Sequence, residues 1–128
     1  MVYFLDSNLN VLEFFDYGKT LTNFELADGG YFIGCLKNIE NDNFSEILVS
    51  YDKFGKKINQ YKTNEKVRKI KSFGSDIFIL TDEGILHTSA NLKNLKQIKN
   101  FGSVEDMIYD KPYLYFVSMN KLSRFLLK

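Results

Sequence analysis

The chain has no tryptophan, one cysteine, one proline and one histidine among its 128 residues. Each scarcity excludes something. Cys35 has no second cysteine to pair with, and a single thiol suits a reducing compartment. Cys35 and His87 are the only soft or imidazole ligands, too few for a zinc site, which takes four ligands. No run approaches the roughly 18 apolar residues that cross a bilayer as a helix, so no membrane insertion is expected. The opening Met1-Val-Tyr-Phe-Leu-Asp6 carries neither a basic segment nor a long apolar one, which argues against a signal peptide. The expected location is therefore intracellular and cytoplasmic. Asp28-Gly29-Gly30 lacks the spacing, the lysine and the following helix of a phosphate cradle, and reads as a turn. Carboxylates are plentiful, yet no pair is placed by spacing alone for acid–base work. The expectation is that the chain is not an enzyme and holds no cofactor or metal.

What is present is aromatic, β-branched and alternating. Apolar residues make up 45% and Phe plus Tyr 16%, enough to exclude wholesale disorder and to favour strands. Period-2 runs recur at Tyr31–Leu36, Glu46–Tyr51, Asp76–Thr81 and Tyr113–Ser118, bounded by turn residues. Asp52-Lys-Phe-Gly55 and Asp82-Glu-Gly84 place glycine where a hairpin needs positive φ. Residues 91–99 and 103–109 are the only stretches open to a helical reading, and both are short.

The runs repeat as units of four strands: 21–27, 31–37, 46–51 and 56–62; then 66–73, 76–81, 84–90 and 94–99; then 103–109, 113–118 and 121–127. Segments 2–5 and 10–16 match the third and fourth strands of a unit. Third strands recur every 37 to 44 residues, the longest interval absorbing the polar insertion Asn38–Phe44. A four-stranded repeat near 40 residues is the signature of propeller blades. The expected fold is all-β: one β-repeat domain over 1–128, of about three four-stranded antiparallel blade-like sheets, a partial β-propeller, with units at 1–16 (partial), 21–62, 66–99 and 103–127.

Val67-Arg-Lys-Ile-Lys-Ser-Phe-Gly74 followed by Asp76-Ile-Phe-Ile-Leu-Thr-Asp-Glu-Gly-Ile-Leu86 resembles a blade of the β-propeller superfamily, especially the RCC1-like type. There, a strand ending in Gly precedes an apolar strand ending in Leu-Thr-Asp-x-Gly. The copy from Val104 to Leu127 keeps the rhythm but has Ser118-Met-Asn-Lys121 at the turn. The opening Met1–Leu12 is similar to the first hairpin of some siphophage tail-hub proteins, which would imply a phage tail structural component. Thr22-Asn-Phe-Glu-Leu-Ala27 departs from that pattern.

Charge is uneven. Residues 1–52 carry net −7 and residues 53–128 net +8, summing to +1. Within the second segment, Lys53, Lys56, Lys57, Lys62, Lys66, Arg68, Lys69 and Lys71 face a single acid, Glu65, with Phe54, Tyr61 and Phe73 interleaved. Such a strip protects strand edges, binds an acidic protein, or stacks and pairs with single-stranded nucleic acid. Asp6-Ser-Asn8-Leu-Asn10 has the alternating oxygens of a calcium loop, but Val11 and Tyr17 stand where Gly and Glu are needed, and the same residues form ordinary turns. Cys35 with His87 is a conceivable nucleophilic pair; the plainer reading is a buried strand cysteine and a half-exposed strand histidine.

Three units leave sheet ends uncovered. Tyr113, Tyr115 and Val117 are expected beside an open edge that pairs with residues 2–16 of another copy or with a partner protein. The function expected from all this is a noncatalytic protein-interaction or scaffold module in a larger assembly. The alternatives are an RNA- or ribosome-associated protein using the 53–71 strip, and a small ligand-binding or hydrolytic propeller-like protein.

Overall fold

The computed structural model describes residues 2–15, 20–40, 43–99 and 102–127. Among the described residues its elements are strands, with no helix. A hairpin of β1 (Val2–Leu5) and β2 (Val11–Phe15) forms a sheet of its own. Unit 1 comprises β3 (Thr20–Ala27), β4 (Tyr31–Glu40), β5 (Asn43–Tyr51) and β6 (Lys57–Thr63). Unit 2 comprises β7 (Val67–Phe73), β8 (Asp76–Thr81), β9 (Ile85–Ser89) and β10 (Lys96–Lys99). Unit 3 comprises β11 (Asp106–Asp110), β12 (Tyr113–Ser118) and β13 (Lys121–Leu126). Each unit is an antiparallel meander in chain order, and none closes into a barrel.

The alternation of apolar residues explains how the sheets stack. Successive strand residues point to opposite faces. In unit 1, Ile33, Cys35 and Leu48 face unit 2, while Phe32, Leu36, Val49 and Tyr51 face the other way, toward Phe4 of the hairpin. In unit 2, Ile77, Ile79 and Leu86 meet unit 1, and Phe78, Leu80 and Ile85 meet Leu114, Phe116 and Met107 of unit 3. The middle strand β8 is thus covered on both faces, and Ile77 through Leu80 are each 0% exposed. An unbroken apolar run is what two-sided burial demands of a strand. Full burial of each such side chain contributes about 1.5–3 kcal/mol.

Turn chemistry sets the strand register. Gly55 has φ +85° and Gly84 φ +152°, as the sequence pattern predicts. Asp52 fixes its turn by accepting the Phe54 and Lys56 N–H groups at 2.9 Å. The Thr81 hydroxyl accepts the N–H groups of Glu83 (3.1 Å) and Gly84 (3.2 Å) at the next such turn. Asp28 N–H donates to the Gly74 carbonyl at 3.0 Å, tying the first turns of units 1 and 2 together.

The windows 91–99 and 103–109, open to a helical reading, hold β10 and the lead into β11, in line with the strands expected at 94–99 and 103–109; Leu92 (φ +57°) and Asn94 (φ +55°) turn the chain before β10. Two expectations are corrected. The insertion at 38–44 lengthens a hairpin instead of forming a loop, since β4 runs to Glu40 and pairs there with Asn43; Asn41 and Asp42 lie outside the described residues. The strand β12 is central, paired with both β11 and β13, so the outer strands of unit 3 are β11 and β13. Tyr113, Tyr115 and Val117 share a face of unit 3, not an edge.

Candidate functional site

The hairpin β8–β9 builds the most chemically capable group of side chains. Its register pairs Phe78 with His87 and Asp76 with Ser89, so Asp76, Phe78 and His87 share one face. The His87 Nε2 lies 2.9 Å from the Asp76 carboxylate, with the two side chains 26% and 35% exposed. Phe78 stacks on the imidazole, centroids 4.6 Å apart and planes 9° from parallel. Tyr109 of β11 closes the group, 5.0 Å from the Phe78 ring. Burial, followed by the nearby Asp76 charge, raises the Tyr109 pKa above the ordinary tyrosine value. A carboxylate on one ring nitrogen orients the imidazole, and the other nitrogen is left to exchange a proton.

Two clefts meet at this histidine. One, of about 230 Å³, is bounded by Asp76, His87, Ser89, Lys93 and Lys96. The other, of about 520 Å³, runs from His87 and Lys96 to Phe125 and Leu127 of unit 3. Lys93 is held by its turn, its N–H donating to Asn91 Oδ1 (3.0 Å) and its carbonyl accepting the Thr88 hydroxyl (2.8 Å). The site therefore offers an oriented imidazole in a cleft that Lys93 and Lys96 line.

The structure splits the basic strip. Lys53, Lys56, Lys57 and Lys62 are exposed on the outermost strand β6 and its turn. Lys57 bonds Gln60, and Lys53 lies 5.1 Å from the Phe54 ring centroid. On β7, by contrast, Arg68 pairs with Asp82 (3.5 Å) and bonds Ser103, while Lys69 (3.6 Å) and Lys71 (2.7 Å) share Asp106. Lys66 and Arg68 line a further cleft of about 430 Å³ with Lys37, Glu46 and Asp82. The strip is continuous in sequence but not one surface, because its second half belongs to a strand of the next sheet.

Cys35 and His87 are not brought together. Cys35 packs on the side of unit 2 that carries Ile77 and Ile79, and His87 lies on the opposite side with Phe78. The Cys35 Sγ–H donates at 3.1 Å to the buried Glu46 carboxylate, which also accepts the Val67 N–H at 2.8 Å. Burial and then Glu46 push the thiol pKa up to about 12, the reverse of an activated nucleophile. In the proposed calcium loop, Asp6 Oδ1 accepts the Asn8 and Asn10 N–H groups at 2.9 Å, and its Oδ2 the Asn10 side chain at 3.2 Å. These bonds hold the Asp6 carboxyl below its usual range. Asp16 and Tyr17 lie outside the described residues. Among the described residues, no group of three His, Cys, Asp or Glu could hold a metal ion. Gly29 (φ +88°) and Gly30 (φ +80°) form a turn, as expected. No helix of the described residues is long and apolar enough to cross a membrane.

The His87–Asp76 pairing was missed in the sequence, although a signal existed. The short Asp82–Gly84 turn fixes Phe78 opposite His87, which puts Asp76 and His87 on one face as diagonal neighbours.

No family model matches the chain, and no curated protein matches it. Among solved structures, it is similar to that of polysaccharide lyase Uly1. The match has TM-score 0.46 and 11% identity, covering 83% of this chain and 27% of that one. The expectations of a noncatalytic scaffold module and of a non-enzyme find no support in these comparisons and are withdrawn. At that similarity, the match assigns no activity to this chain.

Proposed function

We propose that the chain binds an anionic ligand at the His87–Asp76 clefts and exchanges a proton with it through His87. The reading is carried by the 2.9 Å contact between Nε2 and Asp76 in a cleft that Lys93 and Lys96 also line. Asp76 orients the ring, the lysines hold the negative group, and the Phe78 stack fixes the imidazole plane. Because the chain has one histidine, the imidazole signals in an NMR spectrum are unambiguous. Titration with inorganic phosphate and with a uronic acid is expected to shift them, and Lys93→Ala with Lys96→Ala to remove the shift. Unmoved signals with both anions would refute the reading.

The free lysines of β6 support a second reading. Lys53, Lys56 and Lys62 are exposed and have no acidic partner among the described residues, and Phe54 (63%) and Tyr61 (41%) are exposed beside them. This combination suits a single-stranded nucleic acid, through phosphate pairing and ring stacking. Salt-dependent binding of a labelled oligonucleotide, lost in Lys56→Glu with Lys62→Glu, is the expected result. An acidic peptide bound in its place would sink it. The Val67–Leu86 hairpin supports placing the sheets among RCC1-like blades.

A further inference from the structure

The first strands of units 1 and 2 share an irregularity. Leu21 pairs with Leu36 and Asn23 with Cys35, so Thr22 is the extra residue of a β-bulge in β3. Val67 pairs with Thr81 and Lys69 with Leu80, so Arg68 is the extra residue of a β-bulge in β7. A bulge re-aims a side chain that a regular ladder would fix. Both extra residues line one cleft, the space of about 430 Å³ between the two units.

Strand register explains why that cleft is polar. On the face of unit 1 that meets unit 2, Cys35 pairs with Leu48 and Lys37 with Glu46. Cys35 and Leu48 belong to the core between the units, and one step further along the strands Lys37 and Glu46 line the cleft. Glu46 is 3% exposed, and its bonds from the Val67 N–H and the Cys35 thiol both end on Oε2, which leaves Oε1 as an acceptor for a ligand. The Asp82 N–H donates to the Lys66 carbonyl at 3.2 Å and holds the β8–β9 turn against the start of β7. Arg68 bonds Asp82 and Ser103 through Nη1 alone, so its Nε and Nη2 hydrogens stay available. Lys66 is exposed and forms no ion pair among the described residues.

We infer that this cleft binds a small polyhydroxylated molecule carrying one anionic group, a sugar phosphate or a sugar acid, at a site separate from His87. The lining selects that class. Among the described residues it holds no aromatic ring, and Val67 is its one apolar side chain, so neither a nucleobase nor an apolar tail has a surface to rest on. Three cations, Lys37, Lys66 and Arg68, stand against the two carboxylates of Glu46 and Asp82. The excess of positive charge disfavours a ligand ammonium, and the carboxylates disfavour a polyanion. A single anionic group with neutral hydroxyls satisfies both signs. Lys66 and Arg68 hold the anion through charge-assisted hydrogen bonds. Glu46 Oε1, Asp82 and the Asn23 amide accept the hydroxyl protons.

The test is an NMR titration that follows the Val67 amide and the Arg68 Nε–H for this cleft, and the His87 imidazole for the other site. Glucose, glucose 6-phosphate and glucuronate differ only at carbon 6, and inorganic phosphate supplies an anion without hydroxyls. At least one of the two anionic sugars is expected to shift the cleft signals, and the one that does so identifies the anionic group. Lys66→Glu, at an exposed position and checked for folding by circular dichroism, is expected to weaken that binding at least about tenfold, the scale of one charge-assisted hydrogen bond. The His87 signals of the free variant are expected to match the wild type. Cleft signals unmoved by both anionic sugars, equally tight binding of glucose or of inorganic phosphate, or undiminished binding in Lys66→Glu would each overturn the proposal.

Discussion

The thiol of Cys35 donates its hydrogen to the carboxylate of Glu46, 3.1 Å away inside unit 1. The same carboxylate oxygen accepts the Val67 N–H, so Glu46 joins the start of β7 to β5 across two sheets. A buried carboxylate needs both donors.

The first prediction concerns that thiol. Its pKa is raised from 9.0 to about 12, so the folded state keeps a proton that the unfolded chain releases near pH 9. Stability from this group is intact below pH 9 and declines as pH rises toward 12. Alkaline unfolding monitored by circular dichroism should show a shallower decline in Cys35→Ala than in the wild type. Alkylation of Cys35 should require unfolding, and mass spectrometry after iodoacetamide treatment checks that.

Gly84 supplies the second. At φ +152°, its N–H donates to the Thr81 hydroxyl, within a turn buried against β8. A β-branched residue resists that region, so Gly84→Val should destabilise by at least about 1 kcal/mol in urea unfolding. The same change at exposed Asp82 should cost less.

The strands and their hairpin turns were legible because alternation and turn residues are local properties. Asp76–Thr81 and Tyr113–Ser118 have the bounds the pattern implies. What was not legible depends on which faces meet. The lysines of β6 and β7 are neighbours in sequence, yet β6 is the outer strand of one sheet and β7 begins the next, so Asp106 neutralises only the second group. Leu92 lies in a stretch whose sequence is open to either reading, and its buried side chain and positive φ serve the packing of unit 2. Burial in the core overrides a weak local preference.

The contrast between Ile79 and Leu122 gives a third prediction. Ile79 is 0% exposed between sheets, and truncation to alanine removes its contacts with unit 1. Ile79→Ala should cost about 2–5 kcal/mol, the usual range for a buried aliphatic residue. Leu122→Ala should stay within about 0.5 kcal/mol, as is usual at surface positions. Equal losses would mean that the two faces of the stack are wrongly distinguished.

Asp106 gives the last prediction, and its sign follows from its partners. Its carboxylate accepts a hydrogen bond from Lys71 Nζ at 2.7 Å and one from the Met107 N–H at 2.8 Å, with Lys69 at 3.6 Å. Chiefly the Lys71 bond, then the Met107 bond, hold its pKa below the ordinary 3.8. The folded state therefore binds this proton less readily than the unfolded chain does. The group adds stability above about pH 4 and loses it as pH falls through the depressed value. The side chain is 53% exposed, so solvent screening keeps the contribution small. Asp106→Asn removes the titrating group and should flatten the acid limb of the stability curve. It also removes the anion shared by β7 and β11, which should lower stability slightly at neutral pH. Urea midpoints at pH 3 and pH 7 decide the matter: the difference between the two midpoints should be smaller in the variant than in the wild type. An unchanged difference would mean that Lys71 does not hold Asp106 in solution.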